Sequence, residues 1–179
     1  QCSIVRLSDP KTVPYSMKQF TEGDIPDILF RIGELADREN IPCYLVGGYV
    51  RDILIERPCT DIDIMVVGEP VAFARIIRNE LRGKNFVVFE RFRTAQLELT
   101  DEHAGALKIE VVGARKESYD LDSRKPFTEI GTIEDDLSRR DFTINALAVS
   151  LNSDKRGSLT DNYNGLGDLE RWILRTPLE

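Results

Sequence analysis

The sequence predicts an α+β domain: a small mixed β-sheet with helices packed mainly on one face. Three observations predict it. Apolar residues recur at helical spacing at Ile28, Ile32, Leu35 and Ala36, and again from Val71 to Arg82. Short apolar runs of strand length lie between and after these stretches. Gly, Pro and Asn stand at the junctions. The chain of 179 residues, 41% hydrophobic and 31% charged, has an ordinary globular balance and enough length to bury one core.

Residues 1–24 read as an N-terminal extension. The first stretch, from Gln1 to Phe20, lacks the compact apolar centre of a secretory signal. A start at Gln1 is expected of a trimmed piece, or of a chain whose natural start is internal, at Met17. A helix is expected from Ile25 to Glu39, ended by Asn40 and blocked by Pro42. Cys43 to Val46 reads as a strand, Gly47-Gly48 as the turn out of it, and Tyr49 to Glu56 as a helix that Arg57-Pro58 breaks. Ile62, Ile64, Val66 and Val67 mark a buried strand closed by Gly68 and Pro70. The second amphipathic helix follows, then strands at Phe86–Glu90, Ala95–Leu99 and Leu107–Val112. The polar run from Ala114 to Gly131 has no apolar period and is expected to be a mobile loop. Thr132 and Asp135 have capping-box spacing, a helix start. Phe142 to Leu151 reads as a buried helix running into a strand. These elements place one folded unit at residues 25–151.

Composition excludes several chemistries. The three cysteines include no C-x-x-C spacing, which argues against a disulfide framework and for a reducing cytoplasm. His103 is the sole histidine, so a two-histidine zinc site or a Ser–His–Asp triad is hard to build within this chain. A metal would be held by oxygen, which suits magnesium, calcium or manganese. The net charge of −7 disfavours a basic module that coats nucleic acid. No apolar run approaches the roughly 20 residues of a membrane span.

Four places carry candidate chemistry. Asp61 and Asp63, at i and i+2 of a strand, point to one face. Adjacent carboxylates repel unless a cation bridges them. Two magnesium ions about 3.5–4 Å apart would satisfy both and would serve an in-line phosphoryl displacement. The competing reading is a surface strand with two solvated acids, against which Ile62, Ile64 and Val66 weigh. Gly47-Gly48, between strand and helix, offers bare backbone N–H groups to an anion, with Arg51 in reach of the same anion; the plainer reading is a tight turn. Glu110 sits among Leu107, Ile109, Val111 and Val112, either as a third acid of the site or as an edge-strand surface acid. Asp141 and Asn145 would lie one helical turn apart, with Arg139 or Arg140 beside them. A cationic fork plus an amide suits a triphosphate and a sugar hydroxyl.

The runs LVGGYVRD, RPCTDIDIMVV and RRDFTINALAV, in that order and spacing, resemble the head domain of the class II tRNA nucleotidyltransferase and bacterial poly(A) polymerase family, within the DNA polymerase beta-like nucleotidyltransferase superfamily. The resemblance covers about Ile28 to Thr176. It implies metal-binding roles for Asp61 and Asp63, with Glu110 as a looser match to a third acid. It implies a triphosphate-binding turn at Gly47, Gly48 and Arg51. Arg140, Asp141 and Asn145 match the motif that holds the nucleotide's sugar and phosphates. The segment from Gly113 to Pro126 corresponds to the family's flexible loop.

The resemblance implies Mg2+ as the cofactor, with Mn2+ as a substitute, ATP and CTP as nucleotide partners, and a tRNA or other RNA 3′ end as acceptor. The expected activity is template-independent addition of CCA to tRNA; poly(A) synthesis and partial CCA addition stay open, as does a non-catalytic nucleotide-binding module. Arg93 departs from the family, which commonly has glycine before Thr-Ala. The family's base-selecting motif sits on a neck helix expected beyond Glu179. Residues 152–179 then form the end of the head and the approach to that neck. Glu134-Asp135-Asp136 lies upstream and is not that motif.

Overall fold

The computed structural model describes residues 5–6, 19–21, 23–118 and 127–177. β1 (Val5–Arg6) precedes α1 (Asp27–Arg38). Asp27 in the first turn of α1 and Arg38 in the last both complement the helix dipole. One face of α1 buries Ile28, Ile32, Leu35 and Ala36, the spacing visible in the sequence, and Asn40 ends it at φ 55°. β2 (Cys43–Val46) leads through Gly47 into α2 (Gly48–Leu54), a short helix that buries Tyr49, Val50 and Leu54. β3 (Asp61–Val66) follows, then α3 (Pro70–Glu80), with proline in its first turn, where the missing N–H costs nothing.

β4 (Lys84–Phe89), β5 (Thr94–Asp101) and β6 (Gly105–Gly113) form a meander. β7 (Arg115–Ser118) pairs antiparallel with β8 (Phe127–Ile130) in a separate ribbon. This corrects the reading of Ala114–Gly131 as one structureless loop. Two strands pairing only with each other need no buried face, so the ribbon leaves no apolar alternation to detect. Residues 119–126, the rest of that expected loop, lie outside the described residues.

α4 (Ile133–Ser138) opens on the expected capping box: Asp135 N donates to Thr132 Oγ1 at 3.2 Å and Thr132 N to Asp135 Oδ2 at 2.9 Å. The helix expected from Phe142 is instead a single 3-10 turn, Thr143–Asn145, before β9 (Leu147–Ser150). The apolar run Ala146–Leu151 is buried on both sides as a central strand, and periodicity cannot separate such a strand from a buried helix. β10 (Leu159–Asp161), α5 (Gly165–Glu170) and β11 (Ile173–Leu174) complete the described chain, and β11 pairs with β1.

The main sheet has seven strands in the order β10-β9-β2-β3-β6-β5-β4. β3 and β6 are parallel and the other neighbours antiparallel, so the sheet is mixed as expected. Its larger core gathers Leu45, Ile62, Ile64, Ile109 and Leu97 against α1, α2 and α3. The opposite face carries a small cluster, Val46, Met65, Ala148 and Leu137 of α4. Helices therefore cover mainly one face. The other face is free to carry polar side chains at the same strand positions.

Candidate active site

The alternation of β3 sends Ile62 and Ile64 into the core and Asp61 and Asp63 to the opposite face. The Asp61 side chain is 76% exposed, with Lys108 Nζ 3.7 Å away. Asp63 is half-buried. Its register partner on β6 is Glu110, whose Oε2 accepts a hydrogen bond from Gln96 Nε2 on β5 at 3.1 Å. Burial pushes the Asp63 carboxyl above its ordinary value; Glu110 and Asp61 add to that rise, and Arg140 and Lys108 oppose it. This carboxylate sits where negative charge is already concentrated, a setting that favours a cation.

Gly47 turns the chain from β2 into α2 at φ 73°. A Cβ there would stand 3.0 Å from Arg140 Nη1 and 3.4 Å from Asp63 Oδ2, so the bare backbone lets arginine and carboxylate close over it. At Gly48 a Cβ would stand 3.2 Å from Arg51 Nη2. Arg51 is held by Asp52 Oδ1, at 2.8 Å from Nε and 2.7 Å from Nη2, and Nη1 donates to Asn145 Oδ1 at 2.7 Å. Asn145 Nδ2 donates to Asp141 Oδ1 at 3.1 Å. The 3-10 turn thus brings Asp141 and Asn145 together without the helix expected for them.

A cleft of about 610 Å³ joins these parts; Asp63, Glu110, Arg140 and Asp141 line it together with Arg139, Gln96 and Phe92. Gly47, Gly48, Arg51, Asp61 and Asn145 do not line it: Arg51 and Asn145 connect to it through Asp141, Gly47 adjoins Arg140 and Asp63, and Asp61 lies two residues from Asp63 on the same strand face. Among the described residues no three His, Cys, Asp or Glu side chains form a ready metal cage. Two carboxylates on one face still fit magnesium, which takes one or two and completes its shell with water and substrate phosphates.

Three positioning carboxylates escape the sequence reading. Asp136, fully buried, accepts from Arg139 at 2.8 Å and from Arg140 at 2.9 Å. Its signal was the i, i+3 and i, i+4 spacing to two arginines. Asp52 has a weaker signal, an acid on the buried face of α2. Asp168 accepts from Thr143 Oγ1 at 2.6 Å and from Arg175 Nε at 2.9 Å, bracing the turn that carries Asn145; no local pattern announces a link across 25 residues.

A mixed sheet that presents paired carboxylates beside a glycine turn and two braced arginines defines a polymerase beta-like nucleotidyltransferase head. The chain belongs to the poly A polymerase head domain family, whose model matches residues 43–175. It is 37% identical over 159 residues to an A-adding tRNA nucleotidyltransferase of Halalkalibacterium halodurans, covering 89% of this chain and 36% of that protein. It is 42% identical over 137 residues to a CC-adding tRNA nucleotidyltransferase of Deinococcus radiodurans, covering 73% of this chain and 34% of that one. A solved complex of a CCA-adding enzyme with ATP superposes with a TM-score of 0.69 at 38% identity, covering 84% of this chain and 33% of that one. The chain spans about a third of the length of these relatives. No described helix is long and apolar enough to cross a membrane.

Proposed function

We propose that this chain is the catalytic head of an RNA nucleotidyltransferase that extends tRNA 3′ ends with nucleotides from ATP and CTP. The observation that carries this reading is that Arg140 and Asp63 both close on the bare backbone of Gly47, where a Cβ would stand 3.0 Å from Arg140 Nη1 and 3.4 Å from Asp63 Oδ2. The arginine and the glycine turn would meet phosphate oxygens, and the carboxylate would stand beside the reacting phosphate, where it can hold a cation. The acceptor's 3′-hydroxyl oxygen bonds to the α-phosphorus while the bond from that phosphorus to the β-phosphate bridging oxygen breaks. Pyrophosphate leaves and the hydroxyl proton passes to solvent.

Asp61 and Asp63 would hold Mg2+, for which Mn2+ can substitute. Bound there, the metal would lower the acceptor hydroxyl's pKa and neutralise charge on the leaving oxygens. Glu110, held by Gln96, keeps the field around Asp63 negative and so favours the cation. Arg51 and Arg140 bind triphosphate, and Asn145 with Asp141 orients the sugar. These contacts fall on parts that ATP and CTP share. The relatives fit this division, since A-adding and CC-adding proteins match the same head at similar identity.

Residues 1–24 as an extension, 25–151 as the head and 152–179 as the passage toward a neck remain our proposed division. A cytoplasmic setting belongs to the same proposal, in keeping with relatives that are tRNA nucleotidyltransferases. The test is incorporation of labelled ATP and CTP into tRNA lacking its terminal CCA, by the full protein that contains this head. Asp61→Ala and Asp63→Ala are expected to abolish incorporation while the far-ultraviolet circular dichroism is unchanged. Near-normal turnover by either variant would overturn the assignment.

A further inference from the structure

The face that carries Asp63 has two unlike halves. One row of side chains crosses it in register: Asp63 on β3, Glu110 on β6, Gln96 on β5 and Val87 on β4. The parts suited to triphosphate come from the other direction. Gly47 follows β2, Arg51 lies on α2, and Asn145 precedes β9, the neighbour of β2. α4 roofs that half through Leu137, packed with Val46, Met65 and Ala148.

Beyond Glu110 no helix among the described residues roofs this face. Val87 is 48% exposed, Phe89 37%, Phe92 57% and Ile130 55%, and these are the exposed large apolar side chains among the described residues. Phe89 and Phe92 line the same cleft as Asp63. Arg115 Nη2 donates to Phe92 O at 2.7 Å and so clamps the turn that presents the ring. The Arg91 guanidinium lies 5.7 Å from the centre of that ring. Arg115 and Arg139 also line the cleft.

We propose that this open half-face is a stacking platform for the last bases of a single-stranded RNA acceptor, with Phe92 and Phe89 beneath the bases and Arg115 and Arg139 facing the phosphates. The proposal rests on the nucleotidyl-transfer reading. In an in-line displacement the nucleophile enters opposite the leaving group. Pyrophosphate leaves on the β2 side, so the acceptor hydroxyl arrives from the β6 side. From β3 to β4 is three strand spacings, about 14 Å, room for more than one nucleotide. Aromatic rings take any base on their π-faces, and arginines supply the backbone contacts. The floor between, with Glu110, Gln96 and Thr94, is too polar for the apolar side of a protein helix, and the arginine rim complements a polyanion.

The test is fluorescence anisotropy of this chain with a short fluorescein-labelled single-stranded RNA, beside a titration with a fluorescent ATP analogue and magnesium. Phe92→Ala and Phe89→Ala are each expected to weaken RNA binding about tenfold and to leave ATP-analogue binding unchanged. Phe92→Trp should retain RNA binding and Phe92→Leu should lose it, because leucine keeps the apolar volume but has no π-face. RNA binding that ignores Phe92→Ala, or that survives Phe92→Leu, overturns the platform. So does a wild-type chain that binds no RNA, including one that self-associates through this face and loses that association in Phe92→Ser. Intact ATP-analogue binding in such a case would leave the nucleotidyl-transfer reading standing; loss of both would remove the two together.

Discussion

Asp136 holds Arg140 from beneath: Nε and Nη2 both donate to its Oδ2, at 3.2 and 2.9 Å, while the carboxylate has no solvent exposure. Its other oxygen holds Arg139. Removing a partner from a buried ion pair costs about 3–5 kcal/mol. Arg139 is 32% exposed and can turn to water, which places the cost of Asp136→Ala toward the lower end, about 3 kcal/mol. Urea unfolding measures this. Nucleotide affinity should fall as well, since Arg140 loses its brace.

Arg51→Ala and Arg140→Ala should weaken ATP and CTP binding equally. Charge-assisted hydrogen bonds are worth about 1.5–3 kcal/mol, so each variant should lose on the order of ten- to a hundredfold in Kd. Calorimetric titration with both nucleotides checks it. A loss confined to one nucleotide would show that the arginine reads the base.

Asp63 and Asp101 should respond to pH with opposite signs. Asp63 is raised, by burial first and then by Glu110, so the fold favours its protonated form. Its contribution to stability is fully present below the ordinary carboxylate pKa of about 3.9 and is lost as pH rises through the higher folded value. Asp63→Asn should therefore stabilise the metal-free protein at pH 7, with the gain vanishing in acid. Added magnesium should raise Tm in the wild type and not in this variant.

Burial also pushes Asp101 up, but the backbone N–H groups of Ala104, His103 and Ile28 outweigh it and hold the carboxyl below its ordinary value. That stabilisation is present above about pH 3.9 and is lost as pH falls through the lower folded value. Asp101→Asn should thus destabilise at neutral pH and become neutral in strong acid. Thermal melts from pH 2 to pH 7 compare the two variants directly.

Arg93 occupies the left-handed region at φ 51°, a conformation that glycine adopts without steric cost. The conformation costs a non-glycine residue about 1–2 kcal/mol. The compensating ion pair to Glu69, 2.6 Å long with both side chains about 60% exposed, is worth at most about 1 kcal/mol. Arg93→Gly should stabilise by up to about 1 kcal/mol, and Arg93→Val should destabilise. Chemical denaturation of both decides it.

The parts of the site that were legible in the sequence are those with a compact local pattern. Gly47-Gly48 and Asp61-x-Asp63 stand out against apolar strands because neither pair belongs there without a reason. Their helices and strands announce themselves by period. What stayed hidden depends on distance or on missing contrast. The Arg51–Asn145 bond spans 94 residues, and nothing near Arg51 names its partner. β10 is half-buried throughout and only three residues long, too short to show alternation. The β7–β8 ribbon carries no apolar alternation in its sequence. Glu110 was readable as an acid in a strand, but its face became definite only when its register with Asp63 was fixed.

The order of strands also sets when the site can exist during synthesis. β3 to β6 and the helix between them are contiguous, so Asp61, Asp63 and Glu110 can assemble from one stretch of chain. The anion-binding half cannot. β2 sits between β3 and β9, and β9 leaves the ribosome roughly a hundred residues after β2. Until then Arg51 has no Asn145, and β2 has an unpaired edge. Loop closure of that length makes the joining step late. A nascent chain stalled before Leu147 should therefore expose the β2 backbone to hydrogen exchange. Such an intermediate would hold its acids in place with no grip on nucleotide, and the acids would gain their substrate-binding partners only as β9 docks.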